Sequence, residues 1–566
     1  MIMSKPQLAF ERFYQQFFYA LLRRQPVTAS FMGRHEYDCL LPDYSAEGCE
    51  SHIKEMREQL NESRSFAVAD LTDRQRLDKK LLEGYLETQL WEYSSQHFHR
   101  GNPSLYTGEA VFGMLVCILT DYAPAPVRYK AMAARMRELP AFFAQAKENL
   151  QDAPVEWTKR AIAECTGGIM FLEHGLQRAA DQDAYRSQDL WAAVDTAMHA
   201  LVDFKQWLEE VLLHSVRERV SAGEEALQLM MDKAHFAQVS LRELLTHAQV
   251  EVDKATEYLN THATDFGASS VEEALAKLCD LHPDAEGYLT AFADLWNQTG
   301  ALARENDLAT WPDFPIEYIN QHEWAKECAR YLYFLFYRAP AAFNRPRVMQ
   351  YLVPPLRPGE KTSEETEAFL RANNYEVIKN NHVVHHGSLG HHLQNYYAYQ
   401  QNNSLIGVFA GCDAALRPVM LSAGTMIEGW AVYATKLVGE YGFHTPLEAY
   451  AGIQSQRRMA ARAVVDIKLH CGEFTLEEAA AYYRDNAGMS ESAAMNEAVK
   501  NSMFPGAAVI YLYGCDVICD FREEVRLHMG TSFSLGRFHD DFLSYGSIPV
   551  TLVCEELRRR YGMVSS

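Results

Sequence analysis

Apolar and aromatic residues recur at three- and four-residue spacing through most of the 566 positions of this chain. That period admits amphipathic helices and little else. Phe10, Phe13, Phe17 and Leu21, with Tyr14 and Phe18 beside them, predict a helix over residues 6–24, stopped by Pro26. The pattern resumes at Met56 and Leu60, runs from Leu71 to Leu90, and returns at Met132, Met136, Leu139, Phe143 and Leu150, where Pro140 predicts a kink or a division. Leu201, Phe204, Trp207, Leu208 and Leu212 keep the same period. A further helix is expected through Tyr331, Tyr333, Phe334, Phe336 and Tyr337, ahead of the least helical stretch, residues 338–362. Five prolines punctuate that stretch, and Val348 to Val353 is its best strand candidate. The expected fold is therefore mainly α, with at most a small β element near residues 345–360. A helical scaffold over 1–310 and a site-bearing half over 311–566 are the expected division, unless the body is one continuous domain.

Charge narrows the partners. Fifty-three Lys and Arg against 75 Asp and Glu leave a formal charge of −22, which repels phosphate backbones and anionic membrane surfaces. Nucleic acid and membrane are excluded as expected partners. The first residues lack the basic, apolar, small-residue order of a secretory signal, and no apolar run reaches the roughly 20 residues that span a bilayer. A cytoplasmic setting is expected, with a homodimer left open. Eleven cysteines are scattered singly, which suits reduced, buried thiols better than a disulfide framework. Cys515 and Cys519, four apart, are read as core.

Against this uniform background one segment stands out. Residues 382–394 hold five of the 21 histidines, at 382, 385, 386, 391 and 392, between Val383, Val384, Leu389, Leu393, Tyr396 and Tyr397. Neutral imidazole is the commonest metal ligand and titrates near neutrality, so such a cluster set in apolar sequence points to a metal or to proton transfer. On a regular helix, spacing alone pairs His382 with His386. His385 and His391, six apart, could share an ion only if the helix is interrupted, and Gly387 and Gly390 are the residues that would permit this. Ser388 between those glycines is a poor nucleophile-elbow candidate, because position 386 is His and the setting is helical.

Two more features carry chemistry. Glu428 lies amid Met426, Ile427, Trp430, Val432 and Tyr433, and a carboxylate there is costly unless paired or metal-bound. Thr425 is the expected N-cap of its helix, and Ala431, Val432 and Thr435 are small enough for another backbone to approach. Arg462, Asp466 and His470 form one stripe at four-residue intervals, either a salt-bridge ladder or a supporting shell for a site.

In this order the motifs resemble the domain-of-unknown-function 885 family of large helical bacterial proteins, which look like zinc metallopeptidases of the gluzincin type. The resemblance runs nearly end to end, through Leu71 to Asp78, Asp121 to Arg128, the histidine segment, Glu428-Gly-Trp-Ala-Val-Tyr433, Arg462 to His470, Pro505-Gly506, Tyr511, Gly514, Arg522, Phe538 to Asp540, Gly546 and Pro549. The family motif is similar to His-Glu-x-x-Pro-Gly-His-His followed some forty residues later by Glu-Gly-Trp-Ala. It implies a zincin-like helical body and metal ligands at His385, His391 and Glu428, with His392 nearby. The metal implied is divalent, first Zn, with Fe or Mn as alternatives. The catalytic glutamate of the motif falls on His386. Leu389 also replaces a Pro, Thr435 a frequent Glu, and Ala507 a frequent Gln.

What this implies is a metal-dependent hydrolase of a small amide or short-peptide substrate, with His386 as the replacement base and His470, Tyr511 or Arg522 as transition-state donors. The alternatives are a non-hydrolytic metalloenzyme such as a lyase or oxygenase, in which His386 binds metal, and an inactive helical binding protein.

Overall fold

The computed structural model describes residues 3–332, 341–356, 362–400, 404–410 and 421–563. These are mainly helical, and the two strands among them form one small parallel sheet. No helix among the described residues is long and apolar enough to cross a membrane.

The chain divides into two compact units. The first comprises Met1–Ala222 with Gln321–Pro346 and Cys412–Met420, the second Gly223–Asn320, Arg347–Gly411 and Leu421–Ser566. Residues 223–320 thus fall in the same unit as the candidate site.

In the first unit, helix α1 (Lys5–Arg24) buries Phe10, Phe13, Tyr14, Phe17, Phe18 and Leu21, as their spacing requires. Ser4 and Gln7 cap its start reciprocally, each side chain meeting the other's backbone N–H. Pro26 does end it, and serves at once as the first residue of the next helix, Pro26–Phe31. Helix α2 (Ala125–Asn149) runs through Pro140 undivided. Proline removes one backbone donor, but Met136, Leu139, Phe142 and Phe143 on either side are buried, and that packing holds the helix together. Phe143 stacks on Phe204 of helix α3 (Gln188–Glu210) at 4.3 Å between ring centres.

The second unit is built on helix α4 (Leu241–His262), helix α5 (Tyr288–Glu305), strand β1 (Ile316–Asn320), strand β2 (Met349–Val353), helix α6 (Leu421–Glu440), helix α7 (Pro446–His470) and helix α8 (Ile510–Met529). α4 packs along α7, where Tyr450 donates to the Leu259 carbonyl at 2.7 Å. β2 lies where the sequence predicts it. Its parallel partner β1, paired from Ile316 with Met349 to Asn320 with Val353, was not expected, because a strand that borrows its hydrogen bonds from some thirty residues away leaves little local signature. The expected helix through Tyr331 appears only as a 3-10 turn, Ala329–Tyr331, and its remainder lies outside the described residues.

α6 and α8 cross at glycine. A side-chain carbon on Gly429 would stand 2.6 Å from the Gly514 Cα, and one on Gly514 would strike the Thr425 carbonyl. The close approach of these two helices therefore runs through Gly429. Thr425 is inside α6 and accepts from the Val550 N–H at 3.3 Å, so it is not the N-cap. Glu428 consequently sits about two turns into the helix, and the first-turn dipole does not account for its charge.

Candidate metal centre

The histidine segment is a helix broken twice. Asn374 caps its start by accepting from the Val377 N–H, and a wide π turn then carries Ile378–His385. Gly387 leaves helical geometry at φ −99°, ψ −138°, and a second π turn, Ser388–His392, contains a further break at Gly390 with φ −82°, ψ −125°. A side-chain carbon at Gly390 would run into the carbonyls of His385 and Val384. Only glycine lets the second turn fold back onto the first. Six residues along a regular helix would separate His385 from His391 by about 9 Å of axial rise. The breaks bring their ring centres to 4.8 Å, with His386 at 4.9 Å from His385 and 5.5 Å from His391.

Glu428 arrives from α6. Trp430, two residues on, donates its indole N–H to the Leu389 carbonyl at 2.7 Å, which ties this helix to the turn between the two imidazoles. Glu428 Oε2 stands 3.3 Å from His385 Nε2 and 3.6 Å from His391 Nε2. One ligand atom from each of His385, His386 and His391 lies within 4.8 Å of the other two.

The charge state suits a cation. Burial, against the pull of Glu428, pushes His391 down to about 4. Burial and the neighbouring imidazoles push His386 well below its ordinary value. Burial works against ionisation of Glu428, yet His391 and His385 hold its carboxyl well below the usual carboxylate range. A neutral His391, a neutral His386 and an ionised Glu428 are the forms in which these groups donate to a metal. Glu428 Oε2 is buried and makes no hydrogen bond among the described residues. Leaving such an atom unsatisfied costs about 1–3 kcal/mol, and more when it is charged, so the donor set fits a divalent ion that would offset this cost.

Not every expected residue joins the cluster. The pair that spacing nominates, His382 and His386, converges on a hydroxyl: Tyr351 of β2 places its oxygen 2.8 Å from His382 Nδ1 and 3.3 Å from His386 Nδ1. His392 points elsewhere, its Nε2 2.6 Å from the Phe314 carbonyl and its ring stacked on Phe314, so it anchors the segment instead of ligating. His470 is fully buried with Nε2 2.9 Å from the Asn501 carbonyl, a structural post and not a transition-state donor. Arg522 spends its fork on Glu440, at 3.0 Å for each bond, and on the Tyr433 hydroxyl. Ser388 donates to the Val383 carbonyl at 2.8 Å and is buried, so it does not present a nucleophile.

Tyr511 lies close to the cluster. It lines the same cleft as His385, His386 and Glu428, with the Arg462 guanidinium 4.7 Å above its ring. Burial and the nearby Glu428 charge raise its phenol far above the ordinary value, so it keeps its proton. The Arg462, Asp466, His470 stripe is the scaffold behind it. Arg462 bonds Glu497 at 2.8 Å, and Asp466 accepts from the N–H groups of Gly506, Ala508 and Val509 at 2.8–3.0 Å. That clamp fixes the turn leading into α8, where Gly506 takes a left-handed φ of +79°. Sequence reasoning missed Tyr351, which only its alternate position on a buried strand face could have suggested.

The cleft in front of the cluster encloses about 800 Å³ and also reaches Glu376, Thr435, Glu440, Arg458 and Met459. That volume suits a small molecule or a short peptide.

Residues 26–557 match the family described as bacterial protein of unknown function (DUF885). No match was found among curated proteins. Among solved structures the chain is similar to one from Shewanella oneidensis, with TM-score 0.77, 21% identity, and 97% of this chain and 99% of that one covered. It is similar to another from Colwellia psychrerythraea, with TM-score 0.75, 15% identity, and both chains covered in full. Both are described as a "putative lipoprotein", and at these identities the likeness is one of fold.

Proposed function

The chain belongs to the DUF885 family, and on that premise we propose that it is a metal-dependent hydrolase of an amide or short-peptide substrate, its cation held by His385, His391 and Glu428. The observation that carries this reading is the convergence of two imidazole nitrogens on one buried carboxylate oxygen, at 3.3 and 3.6 Å. Two imidazoles and a carboxylate suit Zn first, with Fe and Mn as alternatives. A divalent ion bound there would polarise a carbonyl and bring the pKa of a water toward 7.

The chain's own groups supply the rest. His386 stands where the resembled motif has its glutamate and accepts the proton of the attacking water. An imidazole pushed so low holds a proton poorly by itself, and Tyr351 answers that weakness. Its hydroxyl touches His386 Nδ1 on one side and His382 Nδ1 on the other. A proton taken by His386 can therefore pass through the phenol towards His382, which burial likewise holds low, so the pair carries the proton in transit without storing it. Tyr511, protonated and buried beside Glu428, donates to the oxygen on which negative charge develops.

A second reading has its own support. The ligand atoms of His385, His386 and His391 are all within 4.8 Å of one another, so His386 can complete a three-imidazole, one-carboxylate set. That set suits Fe or Mn in a non-hydrolytic enzyme.

One experiment separates these. Elemental analysis of the purified protein is expected to find stoichiometric metal; its absence, with chelation changing nothing, overturns both readings. His386→Ala is then expected to keep the metal and lose turnover. Loss of the metal in that variant assigns His386 as a ligand and favours the second reading.

A further inference from the structure

Three cationic side chains other than histidine line the cleft: Lys436, Arg458 and Arg462. Two of them are engaged. Arg462 bonds Glu497 and covers the Tyr511 ring, and Lys436 has Asp516 at 3.9 Å. Arg458 makes no hydrogen bond and no ion pair with any described residue, and its Nε is shut off from solvent. The carboxylates of the lining do not complete it. Glu428 faces the imidazoles, Glu440 is held by both arms of Arg522, and Glu376 accepts from Asn380 at 2.9 Å. Desolvation lowers the Arg458 pKa and the neighbouring Arg462 charge adds to it, while the charges of Glu497 and Glu376 act against both without reversing the shift. A largely buried guanidinium with unspent donors costs the free protein stability, and a planar fork of this kind matches a carboxylate in two parallel bonds.

We propose that Arg458 receives the carboxylate of the substrate, which makes the substrate class of this cleft a short peptide or amino-acid conjugate ending in a free acid. The inference rests on the metal-hydrolase reading of the same cleft. Geometry sets the length. Arg458 lies one helical turn before Arg462, about 6 Å along α7, and Arg462 is the residue that touches Tyr511 beside the acid. Two residues of extended chain span about 7 Å, so the anchored carboxylate belongs one or two residues beyond the reacting carbonyl. A single uncommitted cation selects a monoanion. A phosphate dianion would require a second, and the neighbouring Arg462 and Lys436 already face carboxylates.

The test is binding to the full-length, metal-loaded protein, with two probes: a dipeptide-derived hydroxamate ending in a free carboxylate, and the same compound ending in a carboxamide. The free acid is expected to bind at least tenfold more tightly by calorimetry. Arg458→Gln is expected to erase that preference while leaving carboxamide binding unchanged, which also shows that the variant is folded, and Arg458→Lys is expected to keep part of it. Equal binding of acid and amide by the unsubstituted protein, or an acid preference that survives Arg458→Gln, overturns the carboxylate site and leaves the metal reading standing. Failure of both probes to bind overturns the metal reading and this inference with it.

Discussion

The indole N–H of Trp430 and the carbonyl of Leu389 meet at 2.7 Å, and through that single bond the helix carrying the acid is registered against the turn carrying the imidazoles. Leu389 lies between His385 and His391, and Trp430 lies two residues past Glu428. A shift of either partner moves one set of donors relative to the other.

Trp430→Phe keeps most of the apolar volume and removes the donor. The orphaned Leu389 carbonyl is buried, so a loss of about 1–3 kcal/mol in unfolding free energy is expected. Supporting partners of ligands typically tune metal affinity 10–100-fold, and competition with a chromogenic chelator should find a weakening of about that size. Unchanged affinity would mean that the two elements are registered by packing alone.

Gly390→Ala places a carbon against the His385 and Val384 carbonyls, and the second turn can no longer fold over the first. Metal binding is expected to disappear, with thermal unfolding at a clearly lower temperature. Gly452→Ala on α7 is the matched control, because nothing lies within 4 Å of the added carbon. Replacing a helical glycine there should be neutral or stabilising by up to ~1 kcal/mol.

Tyr351→Phe removes the hydroxyl that His382 and His386 share while leaving the strand and its ring contacts in place. Metal content should not change. Turnover of a cleaved substrate should fall by about 10²-fold, within the usual range for general acid–base groups. A variant with full turnover would remove the proton relay from the mechanism.

Acid should destabilise the metal-free protein before the carboxylates titrate. His382, His391, His470 and His539 are each pushed by burial to about 4. Between that value and the ordinary 6.5 the unfolded chain binds protons that the folded chain refuses, so stability falls as pH falls through this window, by ~1.4 kcal/mol per unit for each such group. Asp466, raised to about 6 by burial, acts with the opposite sign, since its folded form takes up a proton first. His322, His386 and His444 are lowered as well, and Glu164, Glu376 and Asp516 are raised beside Asp466. Seven imidazoles against four carboxyls leave a net loss, and urea midpoints measured from pH 7 down to pH 4.5 should decline. A flat profile would show that these imidazoles accept protons without unfolding.

Helix content and the residues that would permit a break within the histidine segment were legible in the residues themselves, whereas the ligand set His385, His391 and Glu428 came from the family resemblance. Apolar period three to four is a local property, and Gly387 and Gly390 announce a bend wherever they fall. The His382–His386 pair shows where local logic ends. Four-residue spacing places two rings on one face, but it does not reveal that a tyrosine from a strand some thirty residues earlier occupies the space between them. His392 and His470 likewise look available in the sequence. Their nitrogens are committed to the carbonyls of Phe314 and Asn501, partners 78 and 31 positions away, and no pattern of neighbours encodes that.

By itself the sequence determined the helices and the chemical identity of the donors, because each depends on residues within a turn or two of one another. Tertiary structure alone decided which donors meet: Glu428 reaches His385 and His391 only because Gly429 lets α6 lie against α8 and Trp430 fastens it to Leu389. Contacts of that kind depend on the packing of chain segments distant in sequence, and they exist only once the apolar faces have closed upon one another.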